Sequence, residues 1–423
     1  MHLCKQKLEN YVMNKIVIAA LLILSTSAAF GQRKIDSKFG KGLYNVIAAD
    51  SSWSMKFGVR FQSLFIGSWN VNDTTGIGNG DSQFLIRRAR LKFGGFAFDP
   101  RLQYKIELGL SNRDLGKADS RTNFAPKMIL DAVLKWNFYK NFTLWAGQTK
   151  LPGNRERVVS SANLQLVDRS LVNSVFNIDR DMGFQLHHKA KIGKQFQVKS
   201  ALAFSQGEGR NIVQQNLGGY EYTGRVEIYP FGSFASKGDY KGGDLKREQK
   251  PKLAIGATYD YHDRAVKDRA NQGSYMSYDT NDDGDIDGYF EITTSTIFVD
   301  MMFKYKGFSF MGEFANRTAP SETVQQSIVN DDASVTTRTM RVGNGINLQS
   351  GYLFKNNWEI AGRYTQIDPE TITGRASQKQ YTLGLSKYFV GHALKVQTDL
   401  SYLQTDNSPD SGLMYRLQMD IHF

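Results

Sequence analysis

Residues 413–423 read Leu-Met-Tyr-Arg-Leu-Gln-Met-Asp-Ile-His-Phe, and this stretch has a period of two. From Leu413 to Phe423 every second residue is apolar or aromatic, and from Arg416 onward the intervening residues are polar. Such alternation predicts a β-strand with one apolar and one polar face. The same pattern returns along the chain beyond residue 52, whereas helical spacing of apolar residues is scarce.

Counting these alternating stretches gives sixteen strands. Several are longer than the strands of soluble sheets and reach the ~9–11 residues that cross a bilayer at a tilt. We predict strands near 54–70, 83–98, 101–110, 128–138, 142–150, 182–189, 196–205, 220–229, 252–262, 295–305, 308–315, 345–354, 358–365, 378–389, 394–403 and 413–423.

The connections between these strands alternate between short turns and long loops, and every long loop follows an odd-numbered strand. Tight turns at one rim and long loops at the other are typical of an outer-membrane barrel with both chain ends in the periplasm. One connection, 230–251, is long where a short turn is expected. It is either a periplasmic insertion or an additional hairpin.

We therefore predict an all-β, 16-stranded antiparallel transmembrane β-barrel over residues 54–423. In lipid every backbone polar group must be paired, and a closed barrel achieves this without free edges. Apolar side chains would then face lipid and polar ones a wet lumen. The alternative is a secreted β-sandwich or propeller, in which the apolar faces would form the core.

Composition excludes several classes. The chain has 423 residues, one cysteine and a net charge of +12, and its mean hydropathy is −0.42. The low hydropathy excludes a bundle of transmembrane helices, and the lone Cys4 excludes a disulfide framework. The basic excess is modest and comes without a basic arm, so we expect no nucleic-acid partner.

The N-terminal region has the features of a secretory signal over residues 1–31. A short basic start at Met13, the expected true initiator, precedes an apolar core and small residues at 29 and 31. Cleavage before Gln32 would remove Cys4 and leave 32–53 as a short periplasmic segment. A membrane anchor helix is the alternative, although the apolar part is short for one.

Two motifs occur in order. Residues 84–91 read Phe-Leu-Ile-Arg-Arg-Ala-Arg-Leu, and residues 158–173 read Val-Val-Ser-Ser-Ala-Asn-Leu-Gln-Leu-Val-Asp-Arg-Ser-Leu-Val-Asn, shortly after Gly-Gln-Thr-Lys-Leu-Pro at 147–152. Together they resemble the phosphate-selective porin O and P family of Gram-negative outer membranes. The terminal Phe423 resembles the signal read by the outer-membrane assembly machinery.

This resemblance implies a homotrimeric barrel in the outer membrane, in contact with its lipid and lipopolysaccharide, that passes small anions. We therefore expect a porin for passive diffusion of small hydrophilic solutes, with a preference for anions such as phosphate. Two alternatives stay open: a channel for oligosaccharides or general nutrients, and a structural or adhesive barrel with a plugged lumen. The sequence contains no recognisable catalytic motif, so we expect no enzyme activity.

Strand phase predicts which charged side chains face the lumen. The nine acidic ones are Glu107, Asp131, Glu227, Asp260, Asp300, Glu313, Glu359, Asp399 and Asp420. The thirteen basic ones comprise Lys189, Lys199, Lys304, Arg363, Lys395 and Arg416, and the seven that we expect to line the anion path: Arg60, Arg88, Arg90, Lys92, Lys105, Lys135 and Arg225. An excess of about four positive charges favours anions without excluding cations. Arg88, Arg90 and Lys92 form the densest run, and pairing with Glu107 and Asp131 is the alternative role.

Loop 151–181 is the third external loop, the position that folds inward and narrows the lumen in sixteen-stranded porins. It contains Arg155, Arg157, Arg169 and Arg180, together with four acidic residues. We expect Arg155 and Arg157 at the constriction, and Arg169 and Arg180 as struts tied to the acids.

Residues 279–288 are strongly acidic. Asp279, Asn281, Asp283, Asp285 and Asp287 have the alternate spacing of a calcium loop, with Gly284 at the sharp turn. The pattern departs from an EF-hand at the twelfth position, which is Phe290. A structural Ca²⁺ in this external loop is one possibility and a solvated loop tip is the other; no other cofactor is expected.

Overall fold

The computed structural model describes residues 33–34 and 38–423, except 73 and 117. The predicted signal segment and its cleavage site lie outside these residues. Sixteen antiparallel strands form a barrel, and the last strand closes it by pairing with the first, from Asp410 opposite Asn72 to His422 opposite Arg60. No helix in the described ranges is long and apolar enough to cross a membrane.

The barrel strands, numbered here in chain order, follow the predicted ones closely. They are β1 (Ser54–Asn72), β2 (Gly76–Ala97), β3 (Asp99–Gly109), β4 (Ile129–Tyr139), β5 (Phe142–Lys150), β6 (Arg180–Ile192), β7 (Phe196–Ser205), β8 (Glu221–Tyr229), β9 (Lys252–Ala265), β10 (Ile292–Tyr305), β11 (Phe308–Thr318), β12 (Gly343–Leu353), β13 (Trp358–Pro369), β14 (Gln378–Tyr388), β15 (Leu394–Thr405) and β16 (Asp410–His422).

The remaining elements are short and lie in the loops and at the N-terminus. The helices are α1 (Asn112–Leu115), α2 (Arg155–Val158) and α3 (Leu171–Phe176), with 3₁₀ turns at Ser120–Thr122, Ser161–Asn163, Ala235–Tyr240 and Thr371–Thr373. The additional strands are Arg33–Lys34, Tyr44–Ile47, Lys267–Arg269, Gln272–Tyr275, Ser277–Tyr278, Gly288–Tyr289, Gln325–Val329 and Val335–Thr339.

The predicted orientation of the strands is confirmed. Along β16 the apolar Leu417 and Met419 are 41% and 49% exposed on the outer face, whereas Gln418 and Asp420 are 2% and 0% exposed. Polar groups therefore line the interior and apolar groups the exterior. The sandwich and propeller alternatives, with apolar cores, are wrong.

One loop prediction is wrong. Residues 71–82 are not a long loop, because β1 continues to Asn72 and β2 begins at Gly76, and these two residues pair with each other. The Gly- and Asp-containing run 76–81 looked like a loop in sequence, but backbone pairing with β1 keeps it extended.

The two ends of the barrel chain meet at the rim of short turns. The strand Tyr44–Ile47 pairs with the start of β1, and the Phe39 ring packs edge-on against Phe423 at 5.4 Å. The segment 230–251 begins and ends at this rim. In the structure it is an insertion containing one 3₁₀ turn, and it folds into the barrel, so the additional-hairpin reading is wrong.

Candidate functional site

The third external loop, residues 151–179, folds into the lumen as predicted. Its helix α3 carries Val172 and Phe176, which are 0% exposed and pack against three inward-facing apolar side chains of the wall: Phe298, Ala315 and Ile367. Apolar residues on the luminal face of β10, β11 and β13 thus give the loop a fixed docking place.

Hydrogen bonds attach the loop to the same side of the wall. Gln165 donates through Nε2 to Ser309 Oγ at 2.9 Å and to Glu359 Oε1 at 2.8 Å, and Gln349 donates to its Oε1 at 2.8 Å. Lys395 donates to the Leu164 carbonyl at 2.8 Å. We call the part of the bore bounded by β9–β15 the closed side, because the loop fills it.

Arg155 belongs to this attachment and not to a constriction. It is 0% exposed, and it donates to Asp300 at 2.7 Å and to Glu227 at 2.7 Å. Each of the two carboxylates accepts one N–H of the guanidinium, and these contacts position helix α2. The expectation that Arg155 faces the constriction does not match this placement.

A cavity of about 810 Å³ remains on the other side of the bore, between the third loop and strands β2–β8. Its lining reaches from Arg113 and Gln272 in external loops to Asn141 in a periplasmic turn. Its lining residues thus span the height of the barrel along one side of the wall.

The lining of the cavity is strongly basic. Six acidic side chains lie in it: Glu107, Asp114, Asp131, Asp168, Asp179 and Glu227. Fourteen basic side chains lie in it: Arg87, Arg88, Arg90, Lys105, Arg113, Lys135, Lys150, Arg157, Arg169, Arg180, Lys189, Lys199, Arg210 and Arg225. Fourteen against six leaves an excess of eight positive charges.

A β-bulge places two consecutive arginines in this lining. Gln62 pairs with Arg88 but Ser63 pairs with Ile86, so Arg87 is an extra residue in β2. Bulges redirect side chains in this way. Arg87 contacts Asp168 of the third loop at 3.1 Å, and Arg88 donates to Gln62 Oε1 at 2.7 Å. A strict period of two predicts that Arg87 faces outward, because Arg88 and Arg90 face the lumen.

The three cations predicted to line the bore from β2 have different surroundings. Arg90 is held by Asp114 at 2.6 Å and by Glu107 at 3.0 Å, whereas Arg88 has no carboxylate within 4.0 Å among the described residues. Lys92 lies 3.6 Å from Glu107 and is not part of the cavity lining. The pairing role and the lining role are thus both present on one strand.

Strands β3 and β4 add further basic groups. Lys105 lies between Glu107 and Asp131, at 3.0 and 2.7 Å. Lys135 has its ammonium group 3.5 Å from the centre of the Trp145 ring, a cation–π contact that leaves its charge uncompensated by a carboxylate.

Arg225 and Arg60 were also predicted to line the anion path, and the structure places them differently. Arg225 reaches the cavity but is held by Asp300 at 2.7 Å and Glu227 at 2.9 Å. Arg60 lies outside the lining and bridges Asp420, at 2.6 Å, to Ser161 of the third loop, at 2.7 Å.

The remaining loop arginines all face the cavity. Arg157 pairs with Asp179, and Arg180 lies 3.2 Å from Asp131. Arg169 donates only to the backbone carbonyls of Glu156 and Val159, at 3.0 and 2.8 Å, so it is a strut without an acidic partner in the described chain. Its charge remains available to the cavity.

The Asp168 carboxyl group of the third loop stays ionised. Burial raises the pKa of the Asp168 carboxyl, but the nearby Arg87 and Arg88 guanidinium groups lower that pKa by more, to far below its ordinary value. Asp168 therefore offsets one positive charge at any pH near neutrality.

Four basic lining residues escaped the sequence prediction: Arg87, Lys150, Arg113 and Arg210. Arg87 is turned inward by the bulge, and Lys150 ends β5 where it donates to the Arg157 carbonyl at 2.6 Å. Arg113 and Arg210 come from loops, for which strand phase makes no prediction. The Arg-Arg pair in the 84–91 motif was the one available signal.

The acidic loop 279–288 turns on itself. Asp279 accepts from the Gly284 N–H at 2.9 Å, Asp283 from the Asp285 N–H at 2.8 Å, and Asp287 from the Thr280 N–H at 2.6 Å. In the described chain no three His, Cys, Asp or Glu side chains come together as a metal site. Calcium binding stays a prediction.

Comparisons with known proteins agree with this architecture. A family model described as phosphate-selective porin O and P matches residues 57–303. No curated protein matches the chain. The outer membrane channel DcaP of Acinetobacter baumannii is similar in structure, with a TM-score of 0.51 at 11% identity over 89% of this chain and 99% of that one. A loop L8 deletion mutant of OmpT, an outer membrane protein of Vibrio cholerae, has a TM-score of 0.50 at 10% identity over 87% and 99%. These two likenesses show the barrel fold.

Proposed function

Since the chain is an outer-membrane porin that belongs to the phosphate-selective porin O and P family, we propose that small hydrophilic solutes diffuse passively through the cavity, with a preference for anions such as phosphate. Solutes would move down their gradient along strands β2–β8. Passage would involve no chemical step, and the protein would act as a homotrimer.

One observation carries this proposal: the excess of eight positive charges around a cavity of about 810 Å³. A low-dielectric wall concentrates the field of fixed charges in a narrow aqueous space. Anions would therefore accumulate in the cavity and cations would be depleted. A cavity whose lining residues reach from the external loops to a periplasmic turn also supports a channel over a barrel with a plugged lumen.

The charge arrangement further supports a preference without exclusivity. Seven of the fourteen basic groups have a carboxylate within 4.0 Å, and the other seven have none among the described residues. The unpaired ones are Arg88, Arg113, Lys135, Lys150, Arg169, Lys189 and Arg210. Arginine can hold an oxyanion through two N–H groups, whereas lysine acts as a point charge.

A reversal potential in a potassium chloride gradient tests the proposal. The purified protein in a planar bilayer should give a potential of the sign for chloride selectivity, and added phosphate should reduce the chloride current because both anions share one path. A cation-selective potential would overturn the proposal, and so would a chloride current that phosphate leaves unchanged.

A further inference from the structure

We propose that segment 230–251 is a fixed plug that seals the closed side of the bore from the periplasm, so that ions pass only through the cavity along β2–β8. This rests on the proposed function, because it takes the cavity as the ion path. We call residues 230–251 the periplasmic segment.

An apolar anchor fixes the start of the periplasmic segment. Phe234 is 5% exposed and belongs to a buried cluster with Tyr229, Ala254, Met302 and Met311. Met302 and Met311 lie on the luminal faces of β10 and β11, where a water-filled bore would favour polar side chains. Their apolar character is explained if Phe234 covers them.

Polar contacts attach the middle of the segment to the third loop and to the wall. The Gly242 N–H donates to the Asn163 carbonyl at 2.6 Å, and Arg155 donates to the Asp239 carbonyl at 3.0 Å. Lys304 of β10 is 2% exposed and donates to the Lys241 carbonyl at 2.7 Å. Without the segment this buried ammonium would lose those partners, which is costly.

Two glycines allow the segment to pack closely, Gly242 against the third loop and Gly243 against the Glu359 side chain of the wall. A Cβ at Gly242 would lie 2.5 Å from the Gln165 backbone nitrogen. Gly243 has a φ of +62°, and a Cβ there would lie 2.7 Å from Glu359 Oε1. At Gly242 backbone therefore packs on backbone, a contact that a side chain there would prevent.

The space left between the two segments is very small. Where Gln165, Gly242, Gly243 and Gln349 meet, the remaining pocket is about 20 Å³, against about 810 Å³ in the cavity. Such a volume holds about one water molecule. The segment also contributes Tyr240 to the cavity lining, so it closes one side and bounds the other.

Cysteine reporters test the seal in the otherwise cysteine-free chain made by Cys4→Ser. Thr143→Cys places a thiol in the cavity lining, and Met311→Cys places one beneath Phe234. The probe is a negatively charged methanethiosulfonate. We expect it to reduce the current of Thr143→Cys and to leave Met311→Cys unmodified, as read by current and by mass spectrometry.

Disrupting the contact between the periplasmic segment and the third loop should expose the thiol of Met311→Cys. Gly242→Leu drives a side chain into Gln165, whereas Gly78→Leu, in the external β1–β2 hairpin where the nearest atom to a Cβ is 3.5 Å away, is the matched control. In Gly242→Leu, Met311→Cys should become reactive. Replacing 236–249 by a short Gly-Ser turn should raise conductance about twofold, because a second opening conducts in parallel.

The outcomes separate the two proposals. Rapid modification of Met311→Cys in the intact chain would overturn the plug, and so would unchanged reactivity in a folded Gly242→Leu variant. An unreactive Thr143→Cys would instead overturn the cavity as the ion path. If the Gly-Ser replacement does not fold, the Phe234→Ala variant gives the same reactivity measurement with a smaller change.

Discussion

Replacing Arg88 by glutamine should weaken the anion preference more than the same replacement at Lys92, four residues further along the strand. Arg88 lines the cavity without a carboxylate partner in the described chain, and its Nη1 donates to Gln62 at 2.7 Å. Gln62 also accepts from Arg60 at 3.1 Å, so Arg88→Gln removes one charge without leaving that acceptor unpaired. The barrel should therefore fold normally.

The size of the effect follows from the volume of the cavity. A sphere of about 810 Å³ has a radius of about 6 Å; the cavity is longer and narrower than a sphere, so an ion level with a wall charge lies within about this distance of it. At about 6 Å one unit charge contributes about 0.7 kcal/mol in a water-like dielectric and about 3 kcal/mol at an effective dielectric constant of about 20. In the Arg88→Gln variant an anion in the cavity loses this attraction, and a cation loses a repulsion of the same size. The lower value thus changes the anion-to-cation ratio by about 1.4 kcal/mol, or tenfold.

The assay is the reversal potential in a potassium chloride gradient near 0.1 M, where the Debye length of about 10 Å exceeds the cavity radius. Arg88→Gln should lower the permeability ratio about tenfold. Lys92→Gln, on the same face of the same strand, should change it much less, because Lys92 lies outside the cavity lining and 3.6 Å from Glu107. Equal shifts for the two variants, or none for Arg88→Gln, would refute the assignment of the ion path.

Three other outcomes are expected. Asp168→Asn removes the partner 3.1 Å from Arg87 and should raise the anion preference; a lowered preference would contradict the field argument. If the acidic loop 279–288 holds a calcium ion, a chelator should lower the melting temperature of the protein. The double variant Asp283→Asn with Asp285→Asn should abolish this difference. An identical melting temperature with and without chelator would contradict a structural calcium ion. Light scattering of the detergent-solubilised protein should give three chains per particle, and a monomer mass would contradict the trimer.

The strands could be predicted from sequence because the bilayer imposes one rule on all of them. A lipid-facing residue must be apolar and most of its neighbours on the luminal face suit water, so a period of two is visible along the strands. The hairpin at residues 71–82 was missed because its end contains Gly and Asp, and there pairing between β1 and β2 holds the backbone extended.

The candidate site was only partly predictable, because its charges depend on features without a sequence period. The bulge at Arg87 inverts the phase of β2 at one residue. Arg155, expected at the constriction, is buried between two carboxylates, and Arg169, expected as a strut tied to acids, is a strut that donates to backbone carbonyls instead. Charge pairing across the bore depends on where the third loop docks, and that docking involves apolar contacts far apart in sequence.

The cavity is more basic than the strand phases suggested, because its lining includes residues of the loops, the strand ends and the bulge. Phase counting over the whole wall set thirteen basic against nine acidic groups, an excess of four. Outside the cavity lining the wall charges pair with one another or bind backbone, as in the pair of Arg416 with Asp399 at 2.7 Å and the contact of Lys395 with the third loop. Six of the thirteen basic groups and six of the nine acidic ones, among them Asp260, Glu359 and Asp420, lie outside the cavity lining, so leaving them out keeps the excess at four. The bulge, the strand ends and the loops add seven basic and three acidic groups to the lining, and this raises the excess to eight. The charge of the cavity is thus set largely by side chains that strand phase does not predict, because they stand in the bulge of β2, at strand ends and in the loops that reach the bore.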